Sequence, residues 1–243
     1  VARELQLPVP TVHRILAALK QLGYVQQDAT SKRFRLGPAA MSLAARTSTL
    51  SDLRAVAIEP LRRLAQSLGE TSLLTGLNSA RDASVCLERV ESPQPLRLSV
   101  EPGRQLPLHA GASQKALLAF MEPSEMESLL ARPLERLCRA TVSDARRLRE
   151  ELRATRERGF AVSYEETNLG VWGVAVPVVS GGDVLCAVGV AGPGARLRAD
   201  LVRRSVRLCH DAAEDVAKAL GHCVPAFTVG DTASRLAERR RRP

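Results

Sequence analysis

Apolar residues recur with helical spacing near the start of the chain. Val12, Ile15, Leu16 and Leu19 fall at i, i+3, i+4 and i+7, which predicts a helix over 11–22 with one buried stripe. Thr11, His13, Arg14, Ala17 and Ala18 are left on its other side. Leu7-Pro8-Val9-Pro10 reads as the turn before this helix, since Pro10 suits a first helical turn, where its missing N–H is not needed. Gly23 reads as a left-handed cap, and residues 1–5 as a shorter amphipathic piece. Two short strands follow, 24–27 and 33–37, around the polar turn 28–32. In the second, Phe34 and Leu36 alternate with Arg33 and Arg35, which predicts a hairpin with one basic face.

Further along, the pattern predicts helices over 38–48 and 51–68, the latter stopped by Gly69. Strands are expected over 71–77, 83–90 and 96–100, then helices over 113–120 and 124–130. Ser143 and Asp144 cap a charged helix that Gly159 closes. Strands over 160–164, 170–179 and 184–191 come next, the last two joined by Ser180-Gly181-Gly182-Asp183, and a helix over 199–220 ends the pattern. Antiparallel strands with helices at the start, middle and end describe an α+β fold. The expected organisation is a winged helix-turn-helix over 1–37, a linker helix over 38–50, a domain over 51–222 and a basic, disordered tail over 223–243.

Charge sharpens this division. The net charge of +9 comes from the two ends: residues 1–50 hold seven Lys/Arg against two Asp/Glu, 51–233 hold 23 against 23, and 234–243 hold five against one. Basic ends around a neutral middle point to a polyanion at the ends and a different task between them. No apolar stretch approaches the roughly 18 residues of a membrane helix, and no secretion signal opens the chain, so a cytoplasmic location is expected. Five scattered cysteines form no CxxC pair and read as buried small hydrophobes, not as a disulfide framework or a metal site.

In a helix-turn-helix, the second helix enters the major groove and its N-terminal side chains reach base edges. The candidates here are Val9, Thr11, His13 and Arg14, with Arg14 suited to guanine or to a phosphate. Lys32, Arg33 and Arg35 on the hairpin suit phosphates or the minor groove. No GxSxG, phosphate loop or dinucleotide fingerprint is present, and Ser113 lacks a His and Asp set, so no catalytic residue, metal or cofactor is expected. Adjacent Glu165 and Glu166 would point to opposite faces of a strand, which argues for structural roles. His109 reads as a structural hydrogen-bonding residue. Arg97 and Arg104 could each pair with an anion or stand solvated.

The run 7–16, Leu22-Gly23-Tyr24-Val25 and Phe34-Arg35-Leu36-Gly37 resemble the winged helix of the IclR family of bacterial regulators. Leu106-Pro107-Leu108-His109-Ala110 followed by 115–119, then 158–163 with Glu165-Glu166, then 173–178 and Ala191-Gly192-Pro193 fit the same family in order. The match spans 1–221. Departures are Pro10, where the family commonly has Ser, and Gln114, where Gly commonly precedes the Lys; the second is expected to narrow a pocket. Family members usually carry one more helix before Val1, so the winged helix is expected to lack its first helix, and its DNA affinity to rise when that segment is supplied.

The resemblance implies a GAF-like mixed α/β effector domain that binds a small metabolite, often an organic acid. It also implies binding to a double-stranded DNA operator as a homodimer or tetramer. Carried over residue by residue, the effector pocket comprises Leu98, Leu106, Ala112, Ser113, Ser163, Val171, Gly173, Gly189 and Ala191, with Trp172 the one aromatic ring nearby. A helix N-terminus near Ser113 suits a carboxylate. The alternative reading is a metabolite-binding or catalytic α+β domain whose basic ends are incidental.

Overall fold

A computed structural model describes residues 6–28, 31–40 and 48–226, with the side chains of 48–52 left aside. It divides into two compact units, Val1–Asp52 and Leu53–Pro243. The expected amphipathic piece over 1–5, most of the linker helix (residues 41–47) and the tail from 227 lie outside the described residues; residues 38–40 are helical.

In the first unit, α1 (Val9–Gln21) starts two residues earlier than the periodicity suggests, with Pro10 inside its first turn. Gly23, at φ +77°, turns the chain out of the helix. There the Tyr24 N–H reaches the Leu19 carbonyl (2.9 Å) and the Gly23 N–H the Lys20 carbonyl (3.0 Å). Strands β1 (Val25–Gln27) and β2 (Phe34–Leu36) pair antiparallel with Gln26 opposite Arg35. Gly37 ties the hairpin back to the helix end: its N–H donates to the Tyr24 carbonyl (2.8 Å), and a Cβ there would lie 2.3 Å from the Gly23 carbonyl oxygen.

The expected stripe on α1 is narrower than its spacing implies. Val12 is buried and Leu16 and Leu19 are half-buried, but Ile15 is 45% exposed. At 100° per residue Ile15 stands about 60° from Val12, on the edge of the arc that the hairpin covers. Phe34 and Leu36 are likewise exposed, because a two-stranded ribbon has no second layer to cover its apolar face.

The second unit is built on six antiparallel strands in the order β5-β4-β3-β8-β7-β6. These are β3 (Thr71–Leu77), β4 (Ala83–Val90), β5 (Gln105–Pro107), β6 (Ala161–Tyr164), β7 (Val171–Ser180) and β8 (Asp183–Pro193). On one face lie α2 (Ser48–Leu68) and α6 (Ala199–Leu220). Leu53, Ala57, Leu61 and Leu64 of α2, and Val202, Val206, Cys209, Ala213 and Val216 of α6, form helical stripes that enclose Val174, Val176 and Val178 of β7. On the other face lie α3 (Ala112–Phe120) and α5 (Ala145–Arg158), against Ala161, Ala175 and Ala187. A short α4 (Pro123–Leu130) follows α3. Asp144 caps α5 by accepting the Arg147 N–H (2.7 Å), and Gly159 ends it at φ +78°.

One strand is misplaced by the sequence pattern. Residues 96–100 are not in the sheet; the edge strand is Gln105–Pro107. The Leu96–Val100 stretch is instead held by side chains. Thr71 Oγ1 donates to the Leu98 carbonyl (2.8 Å), Arg89 to the Val100 carbonyl (2.5 Å) and Arg196 to the Leu96 carbonyl (2.8 Å). An apolar alternation records burial on one side, not which partner supplies the backbone bonds.

Candidate functional site

Two surfaces carry the expected chemistry, one in each unit. On α1, Val9, His13, Ala17, Arg14, Ala18 and Thr11 follow one another around the arc opposite Val12. All are exposed except Thr11, which is half-buried. The apolar stripe decides this arrangement, because burying Val12 turns the other arc outward. Among the described residues no acidic side chain lies in the first turn of α1. On the hairpin, Arg33 and Arg35 are two residues apart and so share a face, while Lys32 stands at φ +58° at the turn. That turn is braced by Asp28, which accepts the Ser31 N–H (2.6 Å) and hydroxyl (2.9 Å).

In the second unit a cavity of about 290 Å³ opens between the sheet and the start of α3. Of the nine expected pocket residues, Leu98, Leu106, Ala112, Ser113, Ser163, Val171, Gly173 and Ala191 line it. Gly189 does not, because Ser113 covers it: a Cβ at 189 would lie 3.1 Å from Ser113 Oγ and 2.8 Å from the Val174 carbonyl oxygen. The strand register explains the floor. Ser163 is opposite Gly173, Gly173 opposite Ala191, and Gly189 opposite Leu73, so small residues from three strands fall on one face beneath α3. Gly173 is closely packed: a Cβ there would meet Ser163 Oγ at 3.2 Å and the Ala112 Cβ at 3.3 Å. Trp172, one residue away, turns its indole to the opposite face, into the core with Val174 and Val176. Trp172 borders the cavity while its ring packs in that core.

Beyond the carried-over set the wall includes Thr75, Ser84 and Cys86 from β3 and β4 and Thr167 and Asn168 from the loop after β6, together with Gln114 from α3, expected to narrow the pocket, and Arg104, a possible anion partner. The signal for Arg104 is register. Ser84 is opposite Leu106 and Val85 opposite Gln105, and the Cys86 N–H donates to the Arg104 carbonyl (3.0 Å). Directly opposed residues share a face, so Arg104 emerges beside Cys86 at the cavity mouth. Among the described residues no Asp or Glu lines the cavity, and Arg104 is the one formally charged residue that does. Burial pushes the Cys86 thiol up to about 11.

The lip of the cavity is held by a buried ion network. Lys115 and Glu166 are both buried; Lys115 Nζ donates to Glu166 (2.6 Å) and to Glu151 (3.0 Å). The second oxygen of Glu166 accepts the Gly111 N–H (3.1 Å), and its backbone carbonyl accepts the Thr141 hydroxyl (2.7 Å). Glu166 thus joins the entry to α3 with the loop that carries Thr167 and Asn168. Gly111 stands at φ +102° with Gln114 Oε1 and Thr167 packed against it, leaving no room for a side chain. The next N–H groups, of Ala112 and Ser113, have no acceptor inside the helix and lie in the cavity wall. Glu165 plays a local part, accepting the Gly170 N–H (2.9 Å) in a left-handed turn.

Other candidates fall outside the cavity. Arg97 pairs with Glu91 (2.9 Å), and His109 Nε2 hydrogen-bonds the Glu135 carbonyl (2.7 Å). A larger depression of about 400 Å³ lies among Arg136, Arg139 and Arg147, all exposed, and holds none of the expected pocket residues. Among the described residues, no helix is long and apolar enough to cross a membrane.

Comparison with known proteins bears on both units. Residues 45–218 match the model of the bacterial transcriptional regulator IclR C-terminal domain, and residues 1–29 match the IclR helix-turn-helix domain. The probable transcriptional regulator SauR of Cupriavidus necator is 34% identical over 220 residues, covering 90% of this chain and 86% of that protein. The transcriptional repressor IclR of Escherichia coli is 28% identical over 91% of this chain and 81% of that protein. Among solved structures, a putative IclR regulator from Silicibacter superposes with a TM-score of 0.83 at 29% identity, over 94% of this chain and 90% of that one. An IclR homologue from Microbacterium hydrocarbonoxydans, complexed with 4-hydroxybenzoate, gives 0.80 at 27% identity, over 90% and 89%.

Proposed function

The chain belongs to the IclR family of bacterial transcriptional regulators, and we propose that a small organic acid, bound in the cavity beside α3, controls how it engages its operator. It is a DNA-binding regulator, not an enzyme. The observation that carries the ligand assignment is electrostatic. Among the described residues the cavity wall holds one arginine and no carboxylate, and the first residues of α3, with their unpaired first-turn N–H groups, belong to it as well. Such a wall favours an anion, by the positive end of the helix and by the cation at the mouth. Its volume, at the small end of the ~300–1,000 Å³ usual for ligand sites, suits a compact molecule. The relative complexed with 4-hydroxybenzoate supports the same class.

In the first unit, Val9, Thr11, His13 and Arg14 are the groove-facing set, and Lys32, Arg33 and Arg35 engage the phosphates or the minor groove. We assign residues 1–37 to DNA reading, 38–50 to the linker and 51–222 to effector sensing. The regulator works in the cytoplasm as a homodimer or tetramer, whose symmetry would match a roughly palindromic operator. Control requires that the acid bind two arrangements of the protein with unequal affinity.

Calorimetric titration with 4-hydroxybenzoate tests the ligand assignment. Saturable binding that Ala112→Leu abolishes, by filling the cavity, is the expected result. Binding unaffected by Ala112→Leu would move the site elsewhere.

A further inference from the structure

Gln114 occupies an unusual place in the cavity wall. It is 8% exposed, and its side chain reaches from the first turn of α3 across to β4, where Nε2 donates to Ser84 Oγ (3.1 Å). Ser84 Oγ in turn donates to the Leu106 carbonyl (3.0 Å). A serine hydroxyl has a single proton, and here Leu106 takes it. Ser84 can therefore only accept from Gln114, which fixes the amide with Nε2 toward β4 and Oε1 away from it. Oε1 rests against Gly111, itself a cavity residue, and no donor among the described residues reaches it.

Gln114 as a residue is nine-tenths buried, but Oε1 keeps accessible surface, and an acceptor with no protein donor becomes a source of selectivity when a ligand supplies the proton. From this we infer that Gln114 is the specificity-determining residue of the cavity. Its Oε1 selects carboxylic acids that also carry a hydroxyl or amide N–H donor over acids of the same size that lack one. The acid group takes the α3 amides and Arg104, and the donor takes Oε1. The inference rests on the reading of this cavity as the effector site.

The test uses two matched pairs, 4-hydroxybenzoate against benzoate and 3-hydroxybutyrate against butyrate, titrated into the whole chain and into Gln114→Leu and Ala112→Leu variants. In the native chain the hydroxylated member of at least one pair binds about tenfold more tightly than its partner. In Gln114→Leu, which keeps the volume but removes the acceptor, that ratio falls to less than threefold while the unsubstituted acid still binds. Thermal melts of the variants check that both remain folded. An equal ratio in the native chain and in Gln114→Leu overturns the role of Gln114 and leaves the effector site standing. Failure of all four acids to bind, or binding that Ala112→Leu does not change, overturns the effector-site reading and this inference with it.

Discussion

Replacing Lys115 by Met probes the device that shapes the cavity. Lys115 and Glu166 side chains are 3% and 1% exposed, so the substitution leaves a buried carboxylate whose remaining side-chain partner is the Gly111 N–H. Removing one member of a buried pair costs ~3–5 kcal/mol, most of it the penalty of the stranded charge. At roughly 2–4 °C per kcal/mol for a unit of this size, the melting temperature should fall by about 10 °C. The chain's single tryptophan, Trp172, is buried in the second unit and reports its unfolding by fluorescence, free of signal from the first. Adding Glu166→Gln to Lys115→Met removes the stranded charge and should recover at least half of the loss. A loss below ~1 kcal/mol in Lys115→Met, or a double variant as unstable as the two single losses summed, would refute the reasoning.

Three further outcomes follow from the same geometry. Arg14→Ala should weaken operator binding; if Arg14 holds a phosphate, the salt dependence of log K should also flatten by about one unit, readable by anisotropy across a salt series. Gly37→Ala forces a Cβ to 2.3 Å from the Gly23 carbonyl, so hydrogen exchange in residues 9–37 should accelerate while Trp172 reports an unchanged second unit. Burial raises the thiols of Cys86 to about 11 and Cys186 to about 12, and that of Cys209 further still, from an ordinary value of 9.0. A group whose folded value is raised holds its proton longer in the folded state. Stability is therefore full below pH 9 and should fall as pH climbs from 9 through 11. A flat profile there would mean that the three thiols are not shielded.

Much of this architecture was legible because each layer repeats its own period. The stripes of α2 and α6, the capped helix from Asp144 to Gly159, and the glycine turn between β7 and β8 all lie where spacing and caps put them. The failures have two causes. Ile15, Phe34 and Leu36 are apolar residues in a small unit with too little second layer to cover them, and 96–100 carry a strand's alternation but take their backbone bonds from side chains. The cavity was legible through motifs shared with a family. Ser84 was not, and Arg104 and Gln114, legible only as a possible anion partner and a pocket-narrowing residue, take their placement from register: which residue stands opposite Cys86, and which hydroxyl has already spent its proton. Trp172 shows the converse, a ring adjacent in sequence to the cavity floor yet facing away from it.

The central claim is that one ligand site governs one DNA-reading surface. The most direct measurement is the anisotropy of a labelled DNA fragment, selected for binding to this chain, titrated with the protein at fixed salt with and without saturating 4-hydroxybenzoate. The account predicts that the acid shifts DNA affinity at least fivefold in one direction and that Ala112→Leu removes the shift while leaving the acid-free affinity intact. An identical DNA affinity with and without a demonstrably bound acid would contradict it.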